Sequence, residues 1–100
     1  MEAHSPYRAA LQRTLSYALE YLDHIPVTAT ATYAELKSRL ARPLTDAGLD
    51  ATQVIDDLVA DSAGGLLGSA GGRFFGWVIG GALPAALAAD WITSTWDQNA

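Results

Sequence analysis

The sequence predicts a mainly α chain of three to four helices, interrupted by one short extended segment rich in aromatic residues and glycine. Three observations predict it. Apolar residues recur at intervals of three and four in several windows, two capping patterns open helices, and prolines close them. At one hundred residues, the chain suits a single unit rather than two cores. Folding at this size ordinarily buries roughly 60–70% of the unfolded surface.

The first helix is expected over 6–25. Leu11, Leu15, Ala18, Leu22 and Ile25 step by four, three, four and three onto one stripe, with Ser5 as N-cap and Pro6 in the first turn. Its charges oppose the helix dipole, with Arg8 and Arg13 near the start and Glu20 and Asp23 near the end. It therefore depends on burying its stripe. Pro26 stops it, and Val27 to Thr32 alternates without a partner strand, which makes an extended linker.

Thr32-Tyr33-Ala34-Glu35 is a capping-box pattern for a helix over 32–40. Pro43 follows, and Asp46-Ala47-Gly48 is a turn. Asp50 caps a third helix over 50–61, whose expected inner face is Val54, Ile55, Leu58 and Val59. Asp56, Asp57 and Asp61 are read as its solvated side, where Asp57 and Asp61 repel weakly. The glycines between Ser62 and Gly72 break any regular pattern. The segment 73–81 reads as an ordered extended loop, and Pro84 opens a last helix over 84–96 with Leu83, Leu87 and Trp91 four apart.

Half the residues are apolar and 17% are charged, which implies that another chain or further sequence covers part of the surface. There is no cysteine, so disulfide and thiolate chemistry are excluded. The net charge of −5 comes with no basic cluster, and a nucleic-acid partner is not expected. The start of the chain lacks the basic and apolar regions of a signal peptide. Phe74 to Ala89 holds a Gly76-x-x-x-Gly80 pattern but is shorter than the ~20 residues of a spanning helix and contains Pro84. No membrane association is expected, and the location is read as cytoplasmic.

The catalytic inventory is thin. His4 and His24 are far apart and without metal-ligand companions, and His24 suits a dipole partner at a helix C-terminus. Asp56 and Asp57 are adjacent on a helix and point apart, the serines lack a nucleophile-elbow context, and the glycine run matches neither a phosphate loop nor a dinucleotide fingerprint. The single lysine, Lys37, sits mid-helix like a solvated surface residue, without the pocket a Schiff-base lysine needs. No catalytic residue and no metal ligand is assigned.

Arg73 to Gly81 is the informative stretch. Two phenylalanines and a tryptophan between glycines suit the wall of a pocket for a flat or apolar ligand, because glycine lets backbone approach closely. A packing joint between helices is the alternative, and residue physics alone favours it.

Gly72-Arg73-Phe74-Phe75-Gly76-Trp77-Val78-Ile79-Gly80-Gly81-Ala82-Leu83-Pro84, continuing through Ala89-Asp90-Trp91 to Asp97-Gln98-Asn99-Ala100, resembles the N-terminal signature of the pyridoxal-phosphate-dependent group II amino-acid decarboxylases. That family carries a Phe-Phe run, a small-residue loop, and a helix with Ala-Asp/Glu-Trp/Met ending near Asn-x-Asn. Upstream, Pro26-Val27 and Pro43-Leu44 fit in layout only. The resemblance implies the N-terminal part of a larger fold type I (aspartate aminotransferase-like) subunit, whose helices wrap a homodimer partner. It also implies a substrate wall of Phe74, Phe75, Trp77, Val78, Ile79 and Gly80 for an amino-acid substrate, with Asn99 at the end of the last helix. Glutamate-specific members have a polar residue where Trp77 stands, so an apolar or aromatic substrate is implied, and Gly71-Gly72 replaces the family's His-Pro. The family's cofactor lysine, stacking histidine and pyridine-pairing aspartate have no counterparts in these residues. Pyridoxal phosphate is therefore expected in the complete enzyme and not on this segment alone, which makes the chain a fragment, a truncated gene product or one part of a split enzyme, inactive by itself. A non-catalytic helical interaction module is the competing expectation.

Overall fold

The computed structural model describes residues 5–73, 75–76 and 81–99. These form four helices in the order α1 (Arg8–Asp23), α2 (Tyr33–Leu40), α3 (Ala51–Ser62) and α4 (Pro84–Trp96), with no strand among the described residues. The chain is mainly α, as its periodicity predicts.

Local chemistry sets the helix ends. The α2 capping box forms in full: the Glu35 amide donates to Thr32 Oγ1 at 3.1 Å, and the Thr32 amide donates to Glu35 Oε2 at 3.3 Å. Asp50 accepts from the Thr52 amide at 3.1 Å. Pro84 occupies the first turn of α4, and Asp97 ends it in the left-handed conformation at φ 49°. Only α1 departs from its expected start. Ser5 Oγ accepts from the Tyr7 amide at 3.2 Å, organising a turn that delays the helix to Arg8. At the other end His24 Nδ1 lies 3.1 Å from the Glu20 carbonyl, so the Nδ1–H tautomer caps an otherwise orphaned acceptor.

Helices α1 and α2 both pack on α3, and α4 packs on none of the three. Val27 to Thr32, expected as an extended linker, is irregular and is clipped to the loop after α3. The Gly64 carbonyl accepts from the Thr30 amide at 2.7 Å and the Ala31 amide at 2.9 Å, and Gly64 itself sits at φ +77°.

Two expected faces are corrected. On α1, Ala18, Leu22 and Ile25 are half-buried, but Leu11 and Leu15 stand out in solvent beside Leu19, each about half exposed. Tyr17 and Tyr21 take the inward positions instead. On α3, Ile55 is half-buried as expected, but Val54, Leu58 and Val59 are exposed, while Asp56 and Asp57 are half-buried and Asp61 is 7% exposed. The carboxylates turn inward because arginines from distant parts of the chain meet them there, as set out below. The expected repulsion between Asp57 and Asp61 is offset by a shared guanidinium.

The consequence is an open structure. No apolar side chain is fully buried among the described residues. The accessible surface is 8479 Å², against roughly 5400 Å² for an ordinary folded monomer of 10.5 kDa. About 45% of the unfolded chain's surface is buried instead of the expected 60–70%. The radius of gyration, 16.3 Å, exceeds the roughly 13 Å typical of one hundred residues.

Candidate functional site

Two places in the described residues combine polar chemistry with concavity: an ionic junction where α1, α2 and α3 meet, and a cleft between the end of α1 and the glycine-rich loop.

The junction is built from α3's acidic face. Arg13 of α1 donates through Nη1 to both carboxylate oxygens of Asp56, each at 3.0 Å, and the Tyr17 hydroxyl donates to Asp56 Oδ1 at 2.6 Å. Just after α2, Arg42 grips Asp61 in two bonds, Nε to Oδ2 at 2.6 Å and Nη2 to Oδ1 at 3.0 Å, with its Nη1 lying 3.8 Å from Asp57. Arg39 donates to the Ala63 carbonyl at 3.1 Å, and Gln53 to Asp57 at 2.7 Å. The Arg42 guanidinium holds the Asp61 carboxyl below the usual carboxylate range, and Asp61 in turn raises Arg42. The bond to Asp56 favours the protonated Tyr17 phenol and pushes its pKa up, with burial adding to the effect.

These carboxylates are occupied by guanidinium and phenol donors. None stands free beside a second acid for proton transfer, and no group of His, Cys, Asp and Glu among the described residues is arranged to hold a metal. The junction fastens helices together. An apolar hollow of about 200 Å³ lies beside it, between Leu40, Leu49, Val54 and Leu58.

The cleft has a volume of about 240 Å³ and is walled by Leu22, Ile25, Pro26 and Val27 on one side and by Gly68, Gly71, Gly72 and Arg73 on the other. Glycine is required at one point of its lining, Gly68, and Gly71 is crowded. A Cβ on Gly68 would overlap the Pro26 carbonyl oxygen, and one on Gly71 would lie 3.1 Å from Ile25 Cγ2. The cleft thus ends at Arg73, where the aromatic segment begins. Phe75 is 91% exposed, held away from the chain's own interior. Phe74, Trp77, Val78, Ile79 and Gly80 lie outside the described residues. Gly81 returns close to the glycine-rich loop, where an added Cβ would sit 3.3 Å from the Ala70 carbonyl.

The chain matches no family model, no curated protein and no solved structure.

The aromatic segment is conspicuous in the sequence, and the cleft that leads up to it is not. The signal was present in Gly68 and Gly71, which were noted only as breakers of regular structure; what they make room for, Ile25 and Pro26, is more than forty residues away in sequence. The described residues do not fit pyridoxal phosphate. Lys37 is exposed on α2, its Nζ 5.9 Å from the Tyr33 ring centroid in a cation–π contact, with no pocket to desolvate it. Among the described residues, no helix is long and apolar enough to cross a membrane.

Proposed function

We propose that this chain is the N-terminal part of a pyridoxal-phosphate-dependent amino-acid decarboxylase, a cytoplasmic carboxy-lyase of fold type I, to which it contributes dimer contacts and one wall of the substrate pocket. The run from Gly72 to Asn99 carries this reading. The exposure of Phe75 supports it, because an aromatic ring left in solvent is placed to meet something other than its own core. Phe74, Phe75, Trp77, Val78, Ile79 and Gly80 are the wall, and Trp77 favours an amino acid with an apolar or aromatic side chain over an acidic one. The cofactor and the lysine that holds it belong to the remainder of the enzyme, so these residues orient a substrate that other groups transform.

The test begins with the coding sequence downstream of Ala100 and its neighbours. A Ser-x-His-Lys-like lysine motif, and decarboxylation of an apolar or aromatic amino acid that depends on this segment and falls in Phe75→Ala, are the expected results. A neighbourhood without such a motif refutes the proposal.

A second reading, a non-catalytic helical assembly module, is favoured by the ionic junction, whose charged groups satisfy one another and leave no free acid–base pair. A purified chain that is monomeric and melts cooperatively supports that module. A decarboxylase segment is instead oligomeric or partly molten when separated from its cover.

A further inference from the structure

The cleft between the end of α1 and the glycine-rich loop pairs an apolar wall with a spare positive charge. Leu22, Ile25, Pro26 and Val27 offer carbon and no charge on one side of its 240 Å³. Opposite them Gly68, Gly71 and Gly72 present backbone, and Arg73 follows. Close contact fixes the two walls to each other. Gly68 is buried against the Pro26 carbonyl. Tight turns, closed by the Ser69 amide on the Leu67 carbonyl at 2.7 Å and the Gly71 amide on the Gly68 carbonyl at 3.1 Å, hold the loop in place. Arg73 is the one charged residue of the lining among the described residues. Arg13, Arg39 and Arg42 each find an oxygen acceptor in the chain. Arg73 is exposed and takes part in no ion pair among the described residues.

We infer that this cleft binds a small apolar monocarboxylate, an aryl or medium-chain alkyl acid. The apolar wall takes the hydrocarbon, and the Arg73 guanidinium takes the carboxylate in a forked pair of hydrogen bonds. Size sets the upper limit. A cavity of about 150 Å³ accommodates a benzene ring, so 240 Å³ has room for a ring and a short acid arm. One guanidinium matches one negative charge. A phosphate or a dicarboxylate would leave charge uncompensated against leucine, isoleucine and valine. A zwitterionic amino acid fits less well, because no acidic residue among the described residues lines the cleft to meet its ammonium group. Leu22 and Ile25 are half-buried and the backbone walls already touch, so the site is formed before binding and little ordering cost remains. The site uses no cofactor and none of the substrate-wall residues proposed above, so it stands or falls apart from the decarboxylase reading.

Titration of the isotopically labelled whole chain with phenylacetate, followed through its backbone amide resonances, tests it. Saturable shifts confined to 22–27 and 68–73 are expected, with a Kd of about 1–10 mM for a ligand of this size. Neutral phenylacetamide, acetate and L-phenylalanine are each expected to bind about tenfold more weakly or not at all. Those comparisons use the wild-type chain and need no variant to fold. Arg73→Gln is expected to weaken phenylacetate by about tenfold. Val27→Asp sets a carboxylate in the lining and is expected to abolish binding. Both positions are exposed, and far-UV circular dichroism confirms that the variants keep their helices. No saturable shift, phenylacetamide or L-phenylalanine bound as tightly as phenylacetate, or binding indifferent to Arg73→Gln overturns the inference. Decarboxylation and its loss in Phe75→Ala are a separate readout, so the two readings fail independently.

Discussion

Gly64 offers the sharpest test of how the first half of the chain is fastened to the second. Its backbone is at φ +77°, where an L side chain is strained, and a Cβ there would lie 2.9 Å from Thr30 Oγ1 and 3.1 Å from Ala31 Cβ. Gly48 is at φ +71° with nothing within 4 Å of the same added atom. The two substitutions to alanine therefore share the conformational cost, about 1–2 kcal/mol for a left-handed residue, and differ in the contact. Pressing the new methyl against the linker adds about 1–3 kcal/mol, because the Gly64 carbonyl holds the Thr30 and Ala31 amides at 2.7 and 2.9 Å and resists separation. Gly48→Ala is expected to lower the melting temperature by about 5–10 °C and Gly64→Ala by about 10–25 °C, at roughly 5 °C per kcal/mol for a chain of this size. Thr30→Ala combined with Gly64→Ala recovers part of the difference, since it removes the nearest atom. Thermal melts followed at 222 nm read all three. If Gly64→Ala costs no more than Gly48→Ala, the linker is not seated against Gly64, and the account of its clipping is wrong.

Thr32→Ala removes the α2 capping box and is expected to cost about 1 kcal/mol, visible as a lower urea midpoint with an unchanged slope. Asp61 has a folded pKa below its unfolded one, so its contribution is complete above the ordinary aspartate value and is lost as pH falls through the folded value. Wild-type melting temperature should therefore fall on acidification below about pH 4, and the Asp61→Asn variant should start lower and show a flatter acid limb. An equal slope in both proteins removes Arg42 and Asp61 from the account. Phe75→Ala is expected to leave stability within about 0.5 kcal/mol of wild type, as for surface substitutions generally. A larger loss in its melt would mean that the ring packs inside the fold.

Where α2, α3 and α4 begin was readable because the controlling groups are neighbours in sequence. Thr32 with Glu35, Asp50 with Thr52, and Pro84 each act within a single turn. Which face each helix buries was readable only in part: Ala18, Leu22, Ile25 and Ile55 are half-buried as expected, and the rest of the expected faces are not. Along α3, the series Val54, Leu58 and the series Asp57, Asp61 both recur at helical spacing, and rotating the helix exchanges one for the other. Asp56 turns inward because Arg13, 43 residues earlier, reaches it, and Asp61 because Arg42 grips it from beyond α2. Without those partners, burying the aspartates would be costly and the valine–leucine face would win. The aromatic segment was conspicuous from its composition. The cleft beside it was not, since Gly68 is demanded by the Pro26 carbonyl and no local rule connects the two.

By itself, then, the order of amino acids determined the helical class, the caps of α2 and α3, the breaks at proline and glycine, and the absence of thiol chemistry. Those properties depend on groups a few bonds or one turn apart. Tertiary structure alone decided that arginine–aspartate pairs, in place of a buried apolar core, join α1 and α2 to α3, and that the leucine ridge of α1 remains uncovered. Such pairings depend on which distant side chains arrive at the same point in space, and periodicity along a single helix holds no record of that.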